Sequence, residues 1–143
     1  MIEVTEETGA HAPMHGTRRT VESQVHGLYD AWQARDEGRI RAFFSDRDDL
    51  KLWGTDRFER IVGRAEADQA FASWIATCPP WTSMEPTHRV MHVRDDLAWI
   101  ADDVEGRWAR GDEVGIEDFR ITTIWEATNG VWHVVHANIA SPH

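Results

Sequence analysis

Four long β-prone segments fill the second half of this chain, and they constrain its fold more than any other feature. They are "THRVMHV" (87–93), "LAWIADDVEGRWA" (97–109), "IEDFRITTIWEA" (116–127) and "VWHVVHANIA" (131–140). Each is rich in β-branched and aromatic residues, and short turn signals separate them: "RDD", "ARGDE" and "TNG". Asn129-Gly130 is the strongest of these, because a tight hairpin needs positive φ at its centre. Consecutive strands joined by such turns make an antiparallel meander, and a meander needs something to cover one face.

The first half supplies the cover. Val21, Val25, Leu28 and Trp32 recur on one helical stripe, with Tyr29 beside it. Thr20 is the expected N-cap, and "RDEG" is expected to close this helix near Gly38. A short second helix would bury Ile40, Phe43 and Phe44. "LKLWGT" reads as a short strand ending at Gly54, and "RFERIV" as a strand or loop running into Gly63. A third helix follows, with Ala67, Ala70, Phe71, Trp74 and Ile75 inward, until "PPW" stops it because proline cannot continue the ladder. Residues 1–17 are expected to be a flexible arm ahead of one domain spanning 18–143. His11 and His15 lie in that arm, where a plain tail is the simpler reading than a weak metal site.

Charge and composition then exclude function classes. The formal charge of −10 repels nucleic acid and anionic membrane surfaces, and Lys and Arg form no stripe. No apolar run approaches the roughly 20 residues of a membrane span. The acidic start lacks the apolar segment of a signal peptide. A single cysteine, Cys78, rules out an internal disulfide and suits a reducing compartment, so a cytoplasmic location is expected. The eight tryptophans bring large rings, each with one donor that needs a partner.

Two stretches carry a resemblance. "LWGTDRFERIVGRAEA" holds Gly54-Thr55-Asp56, Glu59 and then Gly63 opening a helix. "FRITTIWEATNGVWHVVHANIAS" holds Arg120, Thr122, Asn129-Gly130, Trp132, His136 and Ser141. With the helix–helix–strand–helix–meander order, residues 18–142 resemble the SnoaL-like branch of the nuclear transport factor 2-like superfamily. The terminal strand is also similar to the association domain of calmodulin-dependent kinase II. The resemblance implies a cone-shaped α+β barrel, usually a dimer, with a pocket between the sheet's concave face and the helices. Its members include isomerases, dehydratases, cyclases, epoxide hydrolases and purely binding domains, so the fold leaves function open.

Which residues face that pocket depends on the last turn. A two-residue loop pairs Thr128 with Val131 and brings His136 beside Thr123, on the face with Phe119, Ile121, Trp125, Trp132 and Val134. A three-residue loop pairs Ala127 with Val131 and slips the register by one. Val135, Ala137 and Ile139 then join Phe119, Ile121, Thr123 and Trp125 on an apolar face. His136 and Asn138 turn outward toward Arg120 and Thr122. The second register is favoured, since it gives one apolar face, and the resemblance implies pocket-facing positions at Val135, Ala137 and Ile139. It also leaves Ile124, Trp132 and Val134 as an outer apolar patch, an expected homodimer interface.

Candidate chemistry is sparse. His88 and His92 share a strand face but lie roughly 13 Å apart by strand rise, too far for one ion, so no metal site is expected. No phosphate loop, dinucleotide fingerprint or nucleophile elbow appears, and no cofactor is expected. The isomerase relatives imply a base in the region of Trp53-Gly54, where Asp56 is the nearest carboxylate. Thr122 or Thr123 stands where those relatives hold an acidic carboxyl, and Tyr29 is one turn early for the helix tyrosine. Dehydratase relatives imply a histidine paired with an aspartate, which points to His88 with Asp102 or Asp103. The simpler alternative for His88 is an exposed strand histidine. Asp56, His88 and, in the two-residue register, His136 are thus the catalytic candidates. Tyr29, Trp32, Trp53, Trp99, Asp103, Phe119, Thr123, Trp125, Val135 and Ile139 are the expected ligand contacts. The expected protein is an acid–base enzyme on a small apolar or aromatic molecule, the alternative being a non-catalytic binding or association domain.

Overall fold

A computed structural model of the chain describes residues 3–6, 15–56 and 59–141. The long strands form in the predicted order, with the first starting six residues earlier than expected: β4 (Trp81–Arg94), β5 (Leu97–Arg110), β6 (Glu113–Thr128) and β7 (Val131–Ala140) pair in sequence as an antiparallel meander. Two shorter pairings make the curved sheet mixed rather than purely antiparallel. Strand β1 (Glu3–Glu6) lies parallel to β4, and β2 (Lys51–Trp53) lies parallel to β7 and antiparallel to β3 (Arg60–Val62). The order β1-β4-β5-β6-β7-β2-β3 does not join its two ends, so the cone is an open sheet, not a closed barrel. Residues 7–14 of the expected arm lie outside the described residues, as does His11.

Helix α1 (His15–Gln33) starts earlier than its expected cap. Thr20 sits inside it, and its hydroxyl donates back to the Gly16 carbonyl at 2.9 Å. Val21, Val25, Leu28 and Tyr29 are buried against the sheet, as the stripe requires. "RDEG" is the junction of two helices. Arg35 takes a left-handed φ of 57°, and the Asp36 carboxylate accepts from the Arg39 amide to cap α2 (Glu37–Ala42). Helix α3 (Arg64–Thr77) buries Ala67 and Phe71. No helix among the described residues is long and apolar enough to cross a membrane.

The last hairpin follows the first register at its turn and departs from both beyond it. Asn129 (φ 52°) and Gly130 (φ 77°) form the two-residue turn, so Thr128 pairs with Val131, Ala127 with Trp132 and Trp125 with Val134. A bulge then inserts Val135, and the pairing resumes as Ile124 with His136 and Thr123 with Ala137. Near the turn the first register holds, so Trp132 and Val134 are buried inside and leave the expected outer patch. Beyond the bulge the pairing matches neither register, but the faces are those of the second, so Ala137 is buried in the core while Asn138 is exposed.

Candidate functional site

The cone encloses a cavity of about 310 Å³ between the helices and the concave sheet face. Its walls are rings and aliphatic chains. From the helix side come Leu28, Trp32, Phe71 and Trp74, with Trp74 edge-on to both Trp32 and Phe71 at 6.1 Å. From the sheet side come Trp81, Met84, Phe119, Ile121, Ala137 and Ile139, with Trp81 edge-on to Phe119 at 5.6 Å. Such a lining removes a flat apolar molecule from water and leaves orientation to a few polar groups.

The most constrained of those groups is Tyr29. Helix α1 presents it to the cavity, and its hydroxyl donates to Asp102 Oδ2 at 2.7 Å. Asp102 is buried on β5 and receives Arg89 of β4 on both oxygens, Nε to Oδ1 at 2.7 Å and Nη2 to Oδ2 at 2.9 Å. Arg89 is fully buried, and its Nη1 lies 3.8 Å from the half-exposed Glu22 carboxylate. Burial pushes the Tyr29 pKa well above its usual value, and the neighbouring Asp102 charge adds to the rise. For Arg89 burial pulls the pKa down, but the hydrogen bonds and charge of Asp102 more than offset it and hold it raised. Tyr29 is therefore a neutral phenol, locked in place by a two-point ion pair.

Further polar residues line the cavity: Thr55, Glu59, Thr77, Glu117 on an exposed stretch of β6, and Thr123. Glu59 folds back over Gly54: a Cβ added to Gly54 would lie 2.7 Å from the Glu59 Cβ, so only glycine fits there. The backbone closes the same turn, with Gly54 N–H donating to the Glu59 carbonyl at 2.8 Å and Asp56 N–H to its Oε1 at 3.3 Å. On the opposite wall, buried Thr123 accepts from the indole N–H of fully buried Trp125 at 2.8 Å.

Of the ligand contacts expected from sequence, Tyr29, Trp32, Trp53, Phe119, Thr123 and Ile139 line the cavity. The others lie elsewhere. Trp125 is buried behind Thr123. Trp99 is exposed on the outer sheet face, stacked on His92 at 4.7 Å. Asp103 faces outward to Arg120 at 3.3 Å. Val135 is displaced by its bulge and lines a second, polar cavity near Arg41, Arg47 and Arg64.

None of the three catalytic candidates lines the central cavity. Asp56 sits on an exposed bend, and His88 pairs across the strands with Asp103 on the outer face. His136 is also outward, edge-on to the Trp53 ring at 5.7 Å. What the sequence reading missed is the Arg89–Asp102–Tyr29 set and the cavity-lining carboxylates Glu59 and Glu117. A signal for the set existed: Arg89 and Asp102 interrupt the inward faces that Met91, Val93, Ile100 and Val104 define by alternation.

The helices, the mixed sheet and this cavity can now be set beside known proteins. The family profile of the SnoaL-like domain matches residues 21–142. The chain belongs to the SnoaL-like domain family. Among solved structures this SnoaL-like protein is similar to a nuclear transport factor 2-like protein of unknown function from Pseudomonas putida KT2440. That match has a TM-score of 0.79 at 18% identity, covering 92% of this chain and 90% of the other. A candidate scytalone dehydratase from Novosphingobium aromaticivorans DSM 12444 superposes with a TM-score of 0.74 at 14% identity, over 90% and 85% of the two chains. A ketosteroid isomerase-like protein from Erwinia carotovora atroseptica SCRI1043 gives 0.74 at 17%, over 91% and 99%. At these identities the likeness establishes the fold. No functionally curated protein matches the chain.

Proposed function

We propose that this SnoaL-like protein binds a flat, largely apolar organic molecule in its cone and acts on it by acid–base catalysis, in the manner of an isomerase, dehydratase or cyclase. One observation carries the reading: a carboxylate, Glu59, and a locked neutral phenol, Tyr29, line the same apolar, ring-walled cavity. A carboxylate in such surroundings can take a proton from a carbon next to a ligand carbonyl. The C–H electrons pass into the carbonyl to give an enolate. The proton then returns at another carbon, as in isomerisation, or a hydroxyl group departs with a proton as water. Glu59 thus takes the role that the sequence assigned to Asp56, three residues earlier in the same turn. Neither His88 nor His136 is needed for this scheme.

The scheme is tested without knowing the natural substrate. Aromatic ketones such as 2-tetralone are incubated with the protein in D2O, and loss of the acidic C–H signal is followed by NMR. The folded protein is expected to accelerate exchange. Glu59→Gln is expected to lose that acceleration by roughly 10²-fold or more while still binding the ketone. Exchange no faster than buffer for every bound ketone, or unchanged by Glu59→Gln, would contradict the catalytic role. In that case the non-catalytic binding reading stands. It draws on Asp102, whose two oxygens are taken up by Arg89 and Tyr29, so the buried ionic set serves as structure. A homodimer through the outer sheet face also belongs to this proposal. Its apolar content is now exposed Leu97, Trp99, Val114 and Ile116, beside half-buried Ile124.

A further inference from the structure

A tyrosine at the floor of a ligand cavity is ordinarily taken as a hydrogen-bond donor to the ligand. Here the donor is already spent. The partner of the Tyr29 hydroxyl is Asp102 Oδ2, and a carboxylate held by a guanidinium on both oxygens can only accept. The single phenolic proton therefore points at Asp102, and the lone pairs of the oxygen are what remain. The raised pKa of Tyr29 keeps that proton in place.

Thr123 has the opposite polarity for the same kind of reason. The indole N–H of Trp125 can only donate, so Thr123 Oγ1 must accept from it at 2.8 Å. The hydroxyl keeps its own proton, which no hydrogen bond among the described residues takes up. Both residues line the cavity, Tyr29 from helix α1 and Thr123 from strand β6. Both are buried, so neither can trade its internal partner for water at no cost.

We infer that the cavity reads ligand polarity in a fixed sense: Tyr29 accepts a hydrogen bond from the ligand, and Thr123 donates one to it. The ligand class is thus an apolar, ring-containing molecule with a hydroxyl (or N–H) at the Tyr29 end and a carbonyl or ether oxygen at the Thr123 end. The inference rests on the cavity being the ligand site. It makes Tyr29 a specificity-determining residue and gives contact with a ligand carbonyl to Thr123. Asp102 and Arg89 are positioning residues, because they act on the ligand only through Tyr29.

Matched probes test this by quenching of tryptophan fluorescence. Naphthalene, 2-naphthol and 2-methoxynaphthalene share one ring system, and the cavity has room for all three. The naphthol can donate a hydrogen bond, whereas the methyl ether can only accept. The wild-type protein is expected to bind the naphthol about tenfold more tightly than the ether, the effect of one well-placed hydrogen bond. Tyr29→Phe is expected to bring that ratio near one without loss of naphthalene binding. Thr123→Val is expected to leave the ratio intact while weakening 2-acetylnaphthalene several-fold. Equal binding of naphthol and ether by the wild type would overturn the polarity assignment, whether or not any variant folds. Persistence of the preference in a folded Tyr29→Phe protein would overturn it as well. Failure of naphthalene itself to bind would instead overturn the cavity reading beneath it, and the polarity assignment with it.

Discussion

Neighbouring rungs of the same strands carry two ionic groups with opposite surroundings. On the inner face Arg89 of β4 stands across from Asp102 of β5, and both are buried under Tyr29. One residue away on the outer face, His88 stands across from Asp103, which pairs with Arg120 of β6. The residue types are nearly the same, and the face decides what they do. Inside, two N–H···O contacts of 2.7 and 2.9 Å hold a pair that water cannot reach. Outside, a 3.3 Å contact joins side chains that are 68% and 47% exposed. A charge pair of the first kind is costly to break and fixes geometry, whereas one of the second kind is screened and contributes little.

That contrast can be broken in graded steps. Asp102→Ala leaves Arg89 charged and buried without its partner, and is expected to cost about 3–5 kcal/mol in urea unfolding. A loss below about 1 kcal/mol would mean that water reaches Arg89. Tyr29→Phe removes one hydrogen bond to a carboxylate that still holds Arg89, and is expected to cost about 1–2 kcal/mol. Asp103→Ala, on the outer rung, is expected to change stability by less than about 0.5 kcal/mol and to lose even that at high salt. If Asp103→Ala proved as damaging as Asp102→Ala, the outer face would have to be covered in solution, as the proposed homodimer covers it.

The same contrast explains how much of the molecule the sequence disclosed. The meander, the helix stripe and the third helix follow from periodicity and turn residues, and they form in the expected order. The last hairpin resisted because one extra residue is invisible to a count of alternation. Asn129-Gly130 set the register near the turn, and the bulge at Val135 reset it five residues before the pairing of Arg120 with Ala140, so neither pure register was right. Site residues resisted for another reason. His88, His136 and Asp56 attracted attention by residue type, but a strand shows each side chain to only one face, and theirs is the outer one or an exposed bend. Glu59 was within the quoted motif, yet only the close turn over Gly54 brings its carboxylate to the cavity.

The central claim is that a buried ion pair locks Tyr29 as a neutral phenol. The chain has a single tyrosine, so phenolate absorbance in the near ultraviolet reports on that residue alone. Unfolded, Tyr29 ionises near its ordinary value of 10.0, whereas folded it keeps its proton to higher pH. Above that value the folded state binds more protons than the unfolded state, so the stability this contributes is lost as pH rises toward the folded pKa. In an alkaline titration followed by absorbance and circular dichroism together, phenolate is expected only as the fold is lost. Phenolate appearing near pH 10 with the circular dichroism unchanged would contradict the account.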